Sequence, residues 1–134
     1  MQEIINSSSG RAKDVLQYAN KMEKAYNLLL KDAMSQDKND KMFLYIYHNG
    51  KISFTGELSN ELTYNMPEKF IIVGRQKEDR IVMSLRSSRH QIPAVLDKAL
   101  HGLDGHGGGH AHSCGASVAR DDFDEFIKRI KKLI

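Results

Sequence analysis

Several things are scarce in this 134-residue chain. There is one cysteine, Cys114, so no disulfide can form within the chain, and the usage suits a reducing compartment. No run of about 18 apolar residues exists, which argues against a membrane span. The N-terminus lacks the apolar stretch of a signal peptide, so a cytoplasmic location is expected. Charge of one sign is scarce too. A net charge of +3 permits an anionic ligand but falls short of the footprint usual for a nucleic-acid binder. The hydrophobic fraction of 40% and charged fraction of 28% fit a globular domain with a modest core.

Glycine and histidine are concentrated rather than scarce. Residues 105–116 (GHGGGHAHSCGA) hold five of the ten glycines and three of the six histidines. Regular structure needs no such composition, so the segment is expected to be a loop. Glycine there lets backbone approach a ligand closely, and successive amides can form an anion-binding concavity. Histidines beside it can donate hydrogen bonds, carry charge or bind metal. The same glycines could serve a flexible connector. His106, His110 and His112 with Cys114 could also make a zinc or nickel site, although so many glycines would preorganise it poorly.

The flanking segments describe a scaffold. Residues 1–10 read as a linker with Ser8 or Ser9 as a helix cap. Over 11–36, Val15, Ala19, Met22, Tyr26, Leu29 and Ala33 recur at spacings of four and three, and Leu16 and Leu30 widen the stripe. That predicts a long amphipathic helix, able to pack on the domain's own sheet or to serve a dimer or interdomain contact. Residues 42–58 read as a hairpin: Phe43 to Tyr47, an Asn49-Gly50 turn, and a return strand through Ile52 and Phe54. Asn60 to Tyr64 suggest a short helical turn. A second hairpin pairs Phe70–Gly74 with Arg80–Arg86 around a turn at 76–79. Pro93 suits the first turn of a helix whose face is Ile92, Val95, Leu96, Ala99 and Leu100. Residues 116–118 suggest a short strand. A final helix, capped by Asp121 or Asp122 with Glu125 as box partner, buries Phe123, Phe126, Ile127 and Ile130. Its lysines and Arg129 suit the helix dipole, with a nucleic-acid role as the alternative. The expected class is α+β: a mainly antiparallel sheet of four to five strands from two hairpins, with helices that include a long N-terminal and a C-terminal one. Residues 1–36 are expected to be linker and connecting helix, and 37–134 the domain.

Gly107-Gly108-Gly109-His110-Ala111-His112-Ser113-Cys114-Gly115-Ala116, followed by a capped helix, resembles the GGGH(P)HAAGA signature of the DHHA1 domain. Ile81 to Ser87 resembles the strand ending in that family's Arg-Ser pair, and the helix between the motifs falls where the family has one. DHHA1 is the C-terminal substrate-binding domain of DHH phosphoesterases: RecJ-like single-strand exonucleases, oligoribonucleases and cyclic-dinucleotide phosphodiesterases. The resemblance spans roughly 40–134. Ala111 replaces the usual proline, and Ser113-Cys114 the usual Ala-Ala pair. The DHH motif and its manganese-binding aspartates are absent from the chain.

The resemblance implies a phosphate- or nucleotide-gripping domain, with Arg86, Gly107, Gly108, Gly109 and His110 as first candidates. His112, His106, Ser87 and Arg89 come second. It implies no catalytic residue and no metal in this chain, with manganese or magnesium held by a DHH domain of the same polypeptide or a partner chain. Expected partners are nucleic acid or a nucleotide phosphodiester, and no membrane. Alternatives are a stand-alone nucleotide-binding module, a metal-handling protein using the His/Gly segment, or part of a tRNA-linked protein, since alanyl-tRNA synthetases carry a related domain. Tyr45 and Tyr47 could stack bases but read better as core or interface, and Cys114 reads as a buried structural thiol.

Overall fold

A computed structural model describes residues 9–36, 40–48 and 53–134. The chain divides after Ser35 into two units. The first is helix α1 (Ser9–Ser35), two residues longer at its start than the periodicity predicts. The serine cap proposed for it lies outside the described side chains. No helix among the described residues is long and apolar enough to cross a membrane.

The second unit is α+β, as expected. In order it holds β1 (Met42–Tyr47), α2 (Thr55–Asn65), β2 (Phe70–Lys77), β3 (Arg80–Arg86), α3 (Ile92–Ala99), β4 (Gly105–His110), β5 (Ser113–Ala119), a 3-10 turn (Arg120–Asp122) and α4 (Phe123–Leu133). The five strands form one sheet in the order β1-β2-β3-β5-β4. Every pairing is antiparallel except β1 with β2.

That exception corrects the first hairpin. β1 pairs parallel to β2, Met42 opposite Phe70, and a parallel pair requires a crossover. Helix α2 is that crossover, so Phe54 precedes a helix of 11 residues instead of lying on a return strand. The Asn49-Gly50 turn and Ile52 fall outside the described residues. Leu58, Leu62, Thr55 and Ser59 recur at helical spacing and are all buried, which explains why the segment winds.

Period-two alternation sorts the sheet's faces. One face carries Leu44, Ile72, Met83, Leu85, Cys114, Ala116 and Val118, and packs with Val95, Leu96, Phe126 and Ile130 of α3 and α4 into the core. The opposite face is covered only in part. Helix α2, with Leu58 and Leu62 buried, lies over β2 and β3, and Phe43, Tyr45, Ile71 and Val73 are buried on this face. Tyr45 and Tyr47 are therefore core residues, their rings stacked at 6.2 Å.

Two smaller expectations change. The glycine segment is strand β4, not a loop. The proposed Asp122 cap makes no side-chain bond to α4. Its carboxylate accepts the amide of Asp104 at 2.8 Å, tying the entry of β4 to the end of β5. Part of the basic cluster on α4 is structural as well: Arg129 bonds Glu125 and donates to the carbonyls of Ala99 and His101, satisfying the C-terminal end of α3.

Candidate functional site: the open face of β3, β5 and β4

Register brings the sequence candidates together. Ser113 on β5 faces Arg86 on one side and His110 on the other. Directly opposed residues project to the same face, so Arg86, Ser113 and His110 form one row across three strands. Two inter-strand steps separate Arg86 from His110, roughly 10 Å between Cα atoms. The next row on that face is Ser84, Gly115 and Gly108, and the one after is Val82, Ser117 and His106. Beyond α2 the face thus has a floor of serine and glycine, with a guanidinium and an imidazole at one end.

Arg86 is half-buried and held by neutral groups. Its Nε donates to Asn60 Oδ1 at 2.9 Å, and Nη1 donates to the carbonyls of Leu85 and Cys114 at 3.0 and 3.3 Å. Burial pulls its pKa below the usual guanidinium range, opposed by the Cys114 thiol nearby, yet an arginine stays charged in a folded protein. Nη2 has no partner among the described residues. A second arginine on the same face offers a contrast. Arg80 gives Nε to Ser117 Oγ at 2.8 Å and Nη1 to Asp104 Oδ1 at 3.3 Å, so a carboxylate balances it. Arg86 bonds no carboxylate among the described residues.

The remaining candidates separate. His110 is exposed, and its ring has no hydrogen-bond partner among the described residues. Cys114, buried beneath, donates its thiol to the His110 carbonyl at 3.1 Å, and burial raises its pKa. His106 lies on the same strand four residues away, roughly 13 Å at strand rise. His112 sits in the β4–β5 turn, its Nδ1 3.2 Å from the His90 carbonyl. The Ser87 hydroxyl accepts the amides of Arg89 and His90, shaping the corner that leads into α3. Arg89 is exposed at that corner.

The glycines divide as well. The Ala119 amide donates to the Asp104 carbonyl, which sets the alternation of the β4–β5 ladder. By that alternation His106, Gly108 and His110 turn their backbone groups toward β5, while Gly107 and Gly109 turn theirs outward along the free edge. A Cβ on Gly107 or Gly109 would strike β5 backbone, at 2.8 Å and 2.6 Å, and Gly109 has φ +145°. Around Gly108 nothing lies within 4 Å of a Cβ.

Sequence reading missed Asn60, Ser113 and Gly115. Only the fold brings Asn60 to Arg86. The other two were legible: in Ser113 to Ala119 the positions alternate between small polar or bare (Ser113, Gly115, Ser117) and buried apolar (Cys114, Ala116, Val118), the pattern of a strand with one stripped face.

Among the described residues no three His, Cys, Asp or Glu converge to hold a metal ion. His106 and His110 are too far apart on one strand to share one. The described residues therefore do not fit a metal ion of their own.

A five-stranded α+β platform with one bared face defines the class. Residues 38–134 match the DHHA1 domain family, and the chain belongs to it. Solved structures agree on the fold. RecJ from Thermus thermophilus, solved with Mg2+, superposes with TM-score 0.72 at 15% identity, over 90% of this chain and 19% of that one. A pGpG-specific phosphodiesterase from Vibrio cholerae gives 0.60 at 16%, over 90% of this chain and 41% of that one. The C-Ala domain of Aquifex aeolicus alanyl-tRNA synthetase gives 0.59 at 20%, over 68% of this chain and 87% of that one. This chain thus spans about a fifth of the RecJ and under half of the phosphodiesterase. A search of curated protein sequences finds no match.

Proposed function

We propose that this chain is the substrate-binding domain of a DHH-family phosphoesterase and grips the phosphate of a nucleotide, an oligonucleotide or single-stranded nucleic acid. The observation that carries the reading is Arg86: a charged guanidinium with no carboxylate partner, aligned through Ser113 with an unengaged His110 over a glycine floor. A phosphate above Ser113 would take Nη2 of Arg86 on one oxygen and a hydrogen bond from His110 on another. The Ser113 hydroxyl is a third donor, and the outward amides of Gly107 and Gly109 border the site on the free edge. His112 and Ser87 hold the corner beside the row, and His106 and Arg89 extend the basic surface.

Gripping a phosphate in a fixed orientation is a large share of phosphoryl-transfer catalysis, because alignment lowers the entropic part of the barrier. In this reading a DHH domain, in the same polypeptide or a partner chain, holds manganese or magnesium, which would supply the Lewis acid. The RecJ and phosphodiesterase neighbours support the phosphoester class. The C-Ala likeness keeps a stand-alone or tRNA-linked binding module as the second reading.

In the complete enzyme, Arg86→Ala and His110→Ala should each lower turnover by about a hundredfold, as losing one preorganised donor does, with the fold retained. Near-normal turnover in both variants defeats the reading. The 134-residue chain alone should not hydrolyse a phosphodiester with manganese present. Robust hydrolysis by it would show that the metal chemistry resides here after all.

A further inference from the structure

A groove of about 400 Å³ runs along the free edge of β4, lined by Pro93, Ala94, Asp97 and Leu100 from α3 and its C-terminal cap and by Gly107 and Gly108 from the strand. Three features of this edge are unused by the fold. Gly108 has neither a left-handed backbone nor any atom within 4 Å of a Cβ, so nothing inside the protein requires glycine there. The N–H and C=O of Gly107 point out of the sheet side by side, by the alternation of the ladder. The wall opposite is mixed: Pro93, Ala94 and Leu100 give it an apolar strip, and Asp97 and His101 give it polar groups beside that strip.

We infer that this groove receives the nucleobase of the ligand whose phosphate lies on the Arg86–Ser113–His110 row. The inference rests on the proposed phosphate site. Gly108 joins the two places: it stands in the row next to His110's on the open face, and it lines the groove. A ligand can cross the strand there because no side chain bars the way. The base lies against Pro93, Ala94 and Leu100, and its hydrogen-bonding edge meets the outward N–H and C=O of Gly107. Every nucleobase presents an acceptor beside a donor on its pairing edge, so this backbone pair accepts any of them. The site therefore selects for the presence of a base and not for its identity.

The test is an amide NMR titration of the 134-residue chain with adenosine 5′-monophosphate and, separately, ribose 5-phosphate. Both ligands should shift the amides of Arg86, His110 and Ser113. Only the nucleotide should shift Gly107 and residues 94–100, and it should bind at least about tenfold more tightly, the scale of one well-placed base contact. Ala94→Phe, which fills the groove from an exposed helix position, should bring the affinity ratio of the two ligands close to one. Equal affinities in the unmodified chain, with the same residues shifted, overturn the base site and leave the phosphate site standing. A ratio that survives Ala94→Phe, or base-specific shifts on α2 instead of α3, also overturns it. Concentration-dependent β4 shifts without ligand would assign the edge to a second copy of the chain, again against the inference. No shift of the row with either ligand defeats the phosphate reading itself.

Discussion

On the helix side of the β4–β5 hairpin, a Cβ at Gly107 would stand 2.8 Å from the Gly115 carbonyl oxygen, and one at Gly109 2.6 Å from that of Ser113. On the open side, a Cβ at Gly108 would meet nothing within 4 Å, and at Gly115 the nearest atom is 3.7 Å away. The four residues share one composition, and their causes differ. Gly107 and Gly109 are glycine because the strands approach too closely for a side chain. Gly108 and Gly115 are glycine although the fold has room for more, and the proposed ligand site would supply the reason. On that proposal the glycine-rich motif is two interleaved motifs, one answering to stability and one to binding.

That contrast can be broken at either end. The largest effect is expected at Gly109→Ala, where the left-handed φ and the collision with β5 backbone add. The cost should be about 2–4 kcal/mol in urea unfolding. If Gly109→Ala unfolds like the unmodified chain, the division between the glycines is wrong. Next comes the comparison of the two arginines. Arg86→Ala should abolish measurable nucleotide binding. Arg80→Ala, which removes the bonds to Ser117 and Asp104, should leave binding intact and cost about 1 kcal/mol of stability. Equal losses of affinity in calorimetric titrations of the two would erase the distinction drawn from Asp104.

The smallest effect concerns Cys114, on the packed side. Burial raises its thiol pKa, so on raising the pH the unfolded chain loses the thiol proton first. The stability owed to the neutral thiol is then complete at neutral pH and declines as pH climbs from the ordinary thiol value through the raised one. Cys114→Ala should flatten this alkaline decline in denaturation midpoints measured from about pH 7 to 10, the range that brackets thiol ionisation. An identical decline in the variant would assign it to other groups.

The sequence makes one side of the domain more legible than the other, for the same physical reason. Helices α3 and α4 and strands β2 and β3 bury apolar stripes, and Ile92, Val95, Leu96, Phe126 and Ile130 announce the period that places them. Strand β4 carries no apolar side chain, so nothing in GHGGGH distinguishes an edge strand from a loop. The partner of β1 misleads because Asn49-Gly50 is a strong local turn signal, whereas the parallel pairing to β2 is a non-local fact carried by α2. The same applies to Asp122, whose carboxylate suits a local cap but meets the amide of Asp104, 18 residues away. At the site, family resemblance supplies Arg86 and His110. Their alignment through Ser113, and the Asn60 bond that holds Arg86, depend on register and cannot be read along the chain.

The most direct test of the bared face is Gly108→Val, followed by thermal unfolding and by titration with a 5′-phosphorylated dinucleotide. The account predicts a melting temperature within about 3 °C of the unmodified chain, less than about 1 kcal/mol for a domain of this size, and an affinity lowered at least about tenfold. A variant that unfolds early, or that binds the dinucleotide as before, would contradict it.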